Sequence, residues 1–170
     1  MSGVIDVMTL GQDDWRLWRE LRLAALAEAP YAFGSTLAEW QGDGDREERW
    51  RARLALADSH NAVARVDGRP AGMVSGVPTG SADVVDLISL WVSPTARRLG
   101  VGGVLIDEVA RWAARRRATA VRLSVAPDNA AAVALYESLG FRDTGVPGEP
   151  LRDGAGTEVV MERSLYGGPR

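Results

Sequence analysis

Residues 84–103 constrain the fold more than any other stretch of this 170-residue chain. Val84 to Val92 is an apolar, β-branched run, and Pro94 just beyond it cannot donate to a sheet ladder. Arg97 and Arg98 follow, then Gly100, Gly102 and Gly103, then an apolar-periodic run from Val104 to about Ala114. The order predicts a strand, a tight basic loop and a helix N-terminus. A helix N-terminus presents unpaired N–H groups and the positive end of the macrodipole. Glycines let the backbone come close to a ligand, and arginines add charge and bidentate donors. The loop is therefore suited to a phosphate or pyrophosphate. The same residues also fit a plain strand-to-helix turn with surface arginines.

Two known phosphate-binding patterns do not fit. A dinucleotide fingerprint needs a third glycine where Leu105 stands, and a P-loop needs Gly-Lys-Ser/Thr where the chain has Gly102-Gly103-Val104. What remains is Arg97-x-x-Gly100-x-Gly102.

Composition narrows the function classes. A net charge of −3 carries no global basic signature for nucleic acid. The chain has no cysteine, which excludes disulfides, thiolate metal sites and an acyl-cysteine route. With one histidine and no His-Glu-x-x-His, no metal motif is present. The N-terminal residues lack the basic and long apolar regions of a signal peptide, and no apolar run is long enough to span a bilayer. A cytoplasmic protein that needs neither nucleic acid nor membrane is the expectation.

In chain order, Val4–Leu10 reads as an edge strand and residues 15–28 as an amphipathic helix stopped by Pro30. Asp45 is expected to cap a second helix running to about Asp58, with Trp50 and Leu54 facing inward. Asn61–Val66 and Ala71–Val77 form a hairpin about Asp67-Gly68. After the central strand and its helix come a strand at Ala120–Val125 and a helix from Pro127-Asp128-Asn129 to Leu139. Gly140 follows as a left-handed C-cap. Phe141–Gly145 and Thr157–Ser164 complete the strands, with a Pro/Gly-rich loop between them. The order β-α-α-β-β-β-α-β-α-β-β predicts an α+β fold: a mixed, mostly antiparallel sheet with helices on both faces and a parallel pair around Leu90 and Leu123. Residues 1–165 are expected to form a single domain, with 166–170 as a flexible tail.

The segment Asn129-x-x-Ala132-x-x-Leu135-Tyr136-x-x-x-Gly140-Phe141 is the second informative stretch. By itself it describes a helix with a glycine C-cap and a core tyrosine. Together with Arg97-x-x-Gly100-x-Gly102 and the preceding Trp91-Val92-x-Pro94, it closely resembles the GNAT superfamily of N-acetyltransferases, from about Val84 to Phe141. The resemblance implies acetyl-CoA as cofactor. Its pyrophosphate would lie on the loop Arg97, Arg98, Leu99, Gly100, Val101, Gly102 and Gly103. Its pantetheine arm would pair with backbone groups of Leu90, Trp91 and Val92, and Asn129 would meet the pantetheine or nucleotide part. The parallel strands would have to splay apart to admit that arm, helped by a bulge near Ser89–Leu90.

Acetyl transfer to an amine requires a neutral amine, a polarised thioester carbonyl and a proton for the departing thiolate. A phenol titrates near 10 and a thiol near about 8.5, so Tyr136 is protonated at neutral pH and can serve as donor, its role by family resemblance. Asp86, on the central strand, is the candidate general base. Ser89 aligning a water and His60 in a Ser-His-Asn turn are alternatives. Glu39 could meet the amine's positive charge, and Trp15, Trp18, Tyr31, Phe33 and Trp40 could cover the acceptor site. The acceptor itself, a small-molecule amine or a peptide N-terminus, and any homodimer stay open. The competing function class is a non-catalytic acyl-CoA-binding module on the same fold.

Overall fold

The structure, a computed structural model, describes residues 3–29 and 36–165. Pro30, Tyr31, Phe33 and the expected tail at 166–170 lie outside the described residues. The elements are β1 (Ile5–Thr9), α1 (Trp15–Glu28), α2 (Glu47–Leu54), β2 (His60–Val66), β3 (Arg69–Pro78), β4 (Val84–Val92), α3 (Val101–Arg115), β5 (Ala120–Val125), α4 (Ala130–Ser138), β6 (Arg142–Pro150) and β7 (Thr157–Ser164). All seven strands join one sheet in the order β1-β2-β3-β4-β5-β7-β6. Among the described residues, only β4 and β5 pair in parallel. This is the expected mixed sheet with helices on both faces.

Period-two alternation divides the core between the two faces. Ala62, Ala64, Val74, Val85 and Leu87 meet Val101, Leu105, Ile106 and Val109 of α3. Val63, Met73 and Trp91 point the other way, onto Trp18, Leu21 and Ala25 of α1 and Trp50 and Leu54 of α2. The α3 face is built from small residues, so the helix sits close to the sheet. A Cβ on Gly72 would lie 2.8 Å from the Trp91 carbonyl oxygen and 3.0 Å from Leu105. That close seat places the start of α3 directly beyond the end of β4. The opposite face is filled by tryptophans: Trp18 and Trp50 are almost fully buried, and burying a large apolar side chain contributes about 1.5–3 kcal/mol.

Several boundaries differ from the sequence reading. Arg46, not Asp45, is the N-cap of α2. The Asp45 carboxylate instead accepts Arg19 Nε at 2.7 Å and Trp50 Nε1 at 2.8 Å, tying α1 to α2. Helix α2 ends at Leu54, well before Asp58, and the Ala55 N–H turns back to Arg51 and Ala52. Helix α3 starts at Val101, inside the glycine loop, because Gly100 takes a left-handed φ of +86° and the helix follows at once. The parallel rungs lie at Val84–Asp86 rather than around Leu90 and Leu123. Strand β6 continues past Gly145 to Pro150, with its register broken around Pro147, which has no N–H for the ladder.

Candidate active site

Strands β4 and β5 share only three rungs: Val84–Ala120, Val85–Val121 and Asp86–Arg122. Beyond them the strands part. The cause lies on the other side of β4, where the register with β3 jumps from Ser75–Ile88 to Met73–Trp91 and leaves one extra residue on β4. Ser89 sits in that bulge with φ +58°. A bulge bends its strand and increases the twist, so the expected opening at Ser89–Leu90 is present. A cleft of about 830 Å³ occupies it, reaching Ser89, Leu90, Leu123 and Tyr136. Strand β4 beyond the bulge, Leu90 to Val92, is unpaired on its β5 side, the side a pantetheine chain would need.

The chain then passes through a 3₁₀ turn at Pro94–Ala96 into the basic loop. Arg98 is left-handed at φ +66°, as is Gly100. The Val104 N–H makes a bond to the Gly100 carbonyl at 3.1 Å, so the N–H groups of Val101, Gly102 and Gly103 have no partner within the helix. No acidic side chain stands in that first turn. A Cβ on Gly102 would meet Leu135 at an ordinary 3.5 Å, so packing does not demand glycine there. The bare amides, the dipole and the exposed Arg98 and Leu99 fit a pyrophosphate.

Arg97 is placed differently from the expectation. Its Nη2 donates to Glu28 at 2.8 Å and its Nε to the Val92 carbonyl at 3.2 Å. Glu28 also accepts from Trp91 Nε1 at 3.0 Å, and these partners hold its carboxyl below the usual range. Arg97 thus ties the end of α1 to the end of β4, and Arg98 is the cation left beside the loop amides.

Asn129 caps α4, its Oδ1 accepting the Ala132 N–H at 3.3 Å; its Nδ2 and a second lone pair on Oδ1 remain for a ligand. The helix ends with Gly140 at φ +93° and Phe141 N–H bonded to the Tyr136 carbonyl at 3.0 Å, a Schellman closure. That closure seats Phe141 edge-on to the Tyr136 ring, centroids 6.0 Å apart. The half-buried Tyr136 lines the cleft, and its hydroxyl has no hydrogen-bond partner among the described residues. Burial raises its pKa, which keeps the phenol protonated.

Asp86 also lines the cleft, but Arg122 grips both its oxygens, at 2.8 and 3.2 Å. His60 lies elsewhere: it is buried on β2, bonds Glu108 at 3.0 Å and stacks on Trp112. Glu39 is exposed and uses its carbonyl to hold Arg49. Among the aromatic residues, Trp18 and Trp40 reach the cleft and Trp15 does not. Five charged residues that the sequence did not single out also line it: Arg22, Arg53, Arg122, Glu149 and Glu158. Burial and the neighbouring Glu149 push the Glu158 carboxyl up. Arg22 offered one legible signal, a charge four residues after Trp18 on the buried stripe of α1.

The model of the acetyltransferase (GNAT) family matches residues 17–141. The chain is 37% identical over 137 residues to an L-2,4-diaminobutyric acid acetyltransferase of Nocardia farcinica, covering 68% of this chain and 71% of that protein. It is 33% identical over 81 residues to the ribosomal protein bS18-alanine N-acetyltransferase of Escherichia coli, covering 46% of this chain and 55% of that one. Its fold is similar to that of the PaiA N-acetyltransferase of Thermoplasma acidophilum in complex with coenzyme A. There the TM-score is 0.73 at 16% identity, over 95% of this chain and 99% of the other.

Proposed function

The chain belongs to the GNAT family of acetyltransferases and is an acetyl-CoA-dependent N-acetyltransferase; from that premise we propose that it moves the acetyl group directly to a primary amine, with Tyr136 as proton donor to the departing thiolate. One juxtaposition carries the reading: the unpartnered Tyr136 hydroxyl lines the cleft that opens where β4 and β5 part, and the free amides that begin α3 follow the end of β4, with Gly102 against Leu135 and Val92.

Acetyl-CoA supplies the activated acyl group as a thioester. The amides of Val101, Gly102 and Gly103, with Arg98, hold its pyrophosphate. The backbone of Leu90, Trp91 and Val92, which no rung joins to β5, lines up the pantetheine arm, and an N–H of this stretch polarises the thioester oxygen. Asn129 contributes its Nδ2 to the same arm. Attack of the neutral amine on the carbonyl carbon forms the C–N bond. Cleavage of the C–S bond then leaves a thiolate that takes the Tyr136 proton.

Asp86 remains in the site, but Arg122 occupies both its oxygens and leaves it poorly placed to meet the amine. Glu158, with its raised pKa, is the better proton acceptor for the amine. The acceptor is a small-molecule amine or a peptide N-terminus, the two kinds named for the relatives. The enzyme is read as one domain over residues 1–165, acting in the cytoplasm; no helix among the described residues is long and apolar enough to cross a membrane.

A panel of primary amines with acetyl-CoA, followed by thiol release, tests the reading. At least one amine should turn over well above the rate of hydrolysis. Acetyl-CoA binding without transfer to any amine would instead make the protein a non-catalytic acyl-CoA-binding module.

A further inference from the structure

We propose that Glu28, the last residue of α1, is a positioning residue for acetyl transfer: it grips Trp91 and Arg97 together and so fixes the far end of β4, the stretch along which acetyl-CoA would lie. The inference rests on the transferase reading and adds to it a residue that acts through others.

The far end of β4 is short of support on one side. Its last rung with β5 is at Asp86, so among the described strands Leu87 to Val92 is held by β3 alone. Even there the bulge at Ser89 interrupts the ladder, and the final rungs are Met73–Trp91 and Gly72–Val92. Glu28 holds this end from outside the sheet. One carboxylate oxygen accepts Trp91 Nε1 at 3.0 Å and the other accepts Arg97 Nη2 at 2.8 Å. Arg97 Nε then turns back to the Val92 carbonyl at 3.2 Å. The Ser93 N–H, in the same peptide unit as that carbonyl, donates to Ala71 beside β4 at 2.8 Å. In a trans peptide the two groups point opposite ways, so the Val92 carbonyl faces the side where β5 has parted. A strand residue's N–H and C=O share a side. With the carbonyl taken by Arg97, Val92 offers the arm of acetyl-CoA its N–H.

Stability does not account for Glu28. The C-terminus of a helix is the negative end of its dipole, where an acid is disfavoured. The last turn of α1 has no basic residue to offset it. The ion pair with Arg97 is half-exposed, and such pairs contribute little. Yet both its oxygens are engaged, by side chains 63 and 69 residues away. A residue set against its local preference in this way is the kind of conflict that marks a functional position. The Trp91 hydrogen bond, with the Arg97 pair, keeps the carboxyl below its usual range and so ionised at neutral pH. Trp91 also shares a buried cluster with Trp18, Leu21 and Ala25, so α1 and the end of β4 are joined by packing as well as by charge. Transfer requires that the thioester meet the amine, an N–H of β4 and Tyr136 together. A misplacement of about 1 Å can cost on the order of 100-fold in rate.

The test is steady-state kinetics with the amine that turns over best, acetyl-CoA and the amine each varied in turn. Glu28→Gln keeps the shape of the side chain but sets an N–H against one of its two donors. It should lower kcat/KM for acetyl-CoA by roughly tenfold or more and leave KM for the amine within about twofold. Arg97→Gln should do the same, and the double variant should lose no more than the worse single, because the two residues act through one contact. The unliganded melting temperature should stay near that of the wild type. Unchanged kcat/KM for acetyl-CoA in Glu28→Gln overturns the proposal. So do losses that multiply in the double variant, which would put Arg97 on the pyrophosphate independently of Glu28. A loss shared equally by acetyl-CoA and the amine, or a variant that no longer folds, makes Glu28 a stabilising contact and overturns it as well. Each of these outcomes leaves the transferase reading intact. A wild-type enzyme that acetylates no amine overturns that reading, and this proposal with it.

Discussion

The two sides of the cleft are assembled by different rules. The side proposed for the donor comes from two contiguous stretches, Ser89–Gly103 and Asn129–Phe141, and is shaped largely by backbone: the bulge at Ser89, the left-handed turn at Gly100, the open amides of Val101–Gly103. The opposite side gathers Arg22, Arg53, Glu149 and Glu158 from α1, α2, β6 and β7, and lines the cleft with side chains. A backbone site needs particular residues at fixed short spacings, because glycine and the start of a helix are local facts. A side-chain site needs only that the fold bring charges together, so its members can lie anywhere in the chain. A site of the first kind suits a constant ligand and one of the second kind a variable ligand.

Experiments can break that contrast, and the strongest acts where the two sides meet. Tyr136→Phe removes one hydroxyl and keeps the ring on Phe141, so the fold and acetyl-CoA affinity should hold while turnover falls by roughly 10²- to 10⁴-fold. The rate is to be measured where chemistry limits it; wild-type turnover would return Tyr136 to a packing role. On the donor side alone, acetyl-CoA at a hundredfold above its Kd should stabilise the protein by about 2.7 kcal/mol. For a chain of this size that is roughly 5–10 °C in melting temperature. No shift at millimolar acetyl-CoA would show that the loop at α3 holds nothing.

Behind the α1–α2 wall, Asp45→Ala removes the link between the two helices and leaves Trp50 Nε1 without its acceptor. The expected loss is about 1.5–3 kcal/mol in chemical denaturation, the range for hydrogen bonds to a charged group. Arg19 and Trp50 hold the Asp45 carboxyl at about 2, below its ordinary value of 3.8. The pKa is depressed in the folded state, so the stabilisation is fully present above the ordinary carboxylate range and is lost as pH falls through about 2. The gap between wild type and variant should therefore narrow between about pH 4 and pH 2. An unchanged gap would mean that the carboxylate charge contributes nothing.

The smallest effect is the most local. Gly102→Asp adds a Cβ that packing tolerates and a charge where pyrophosphate approaches. Cofactor affinity, measured by calorimetry, should fall at least about tenfold, while the unliganded melting point holds or rises slightly, because an acid favours a helix N-terminus. Unchanged affinity would move the pyrophosphate elsewhere.

The sequence by itself determined the element order, the two-faced sheet, the strand–loop–helix at residues 84–115 and the capped helix that carries Tyr136. Each depends on period, glycine, proline or cap within a few residues. It also located the bulge at Ser89, through the family resemblance. Tertiary structure decided what side chains do once they meet. It turned Asp45 from a cap into a clamp, because Arg19 lies within reach from another helix. It drew Arg97 to Glu28 and left Arg98 beside the loop. It closed Arg122 on both oxygens of Asp86, the carboxylate that strand position suggested, and brought Glu158, Arg22 and Arg53 to the same cleft. Ionic partners are chosen by distance in space, and a charge carries no mark in the sequence of which distant segment will lie opposite it.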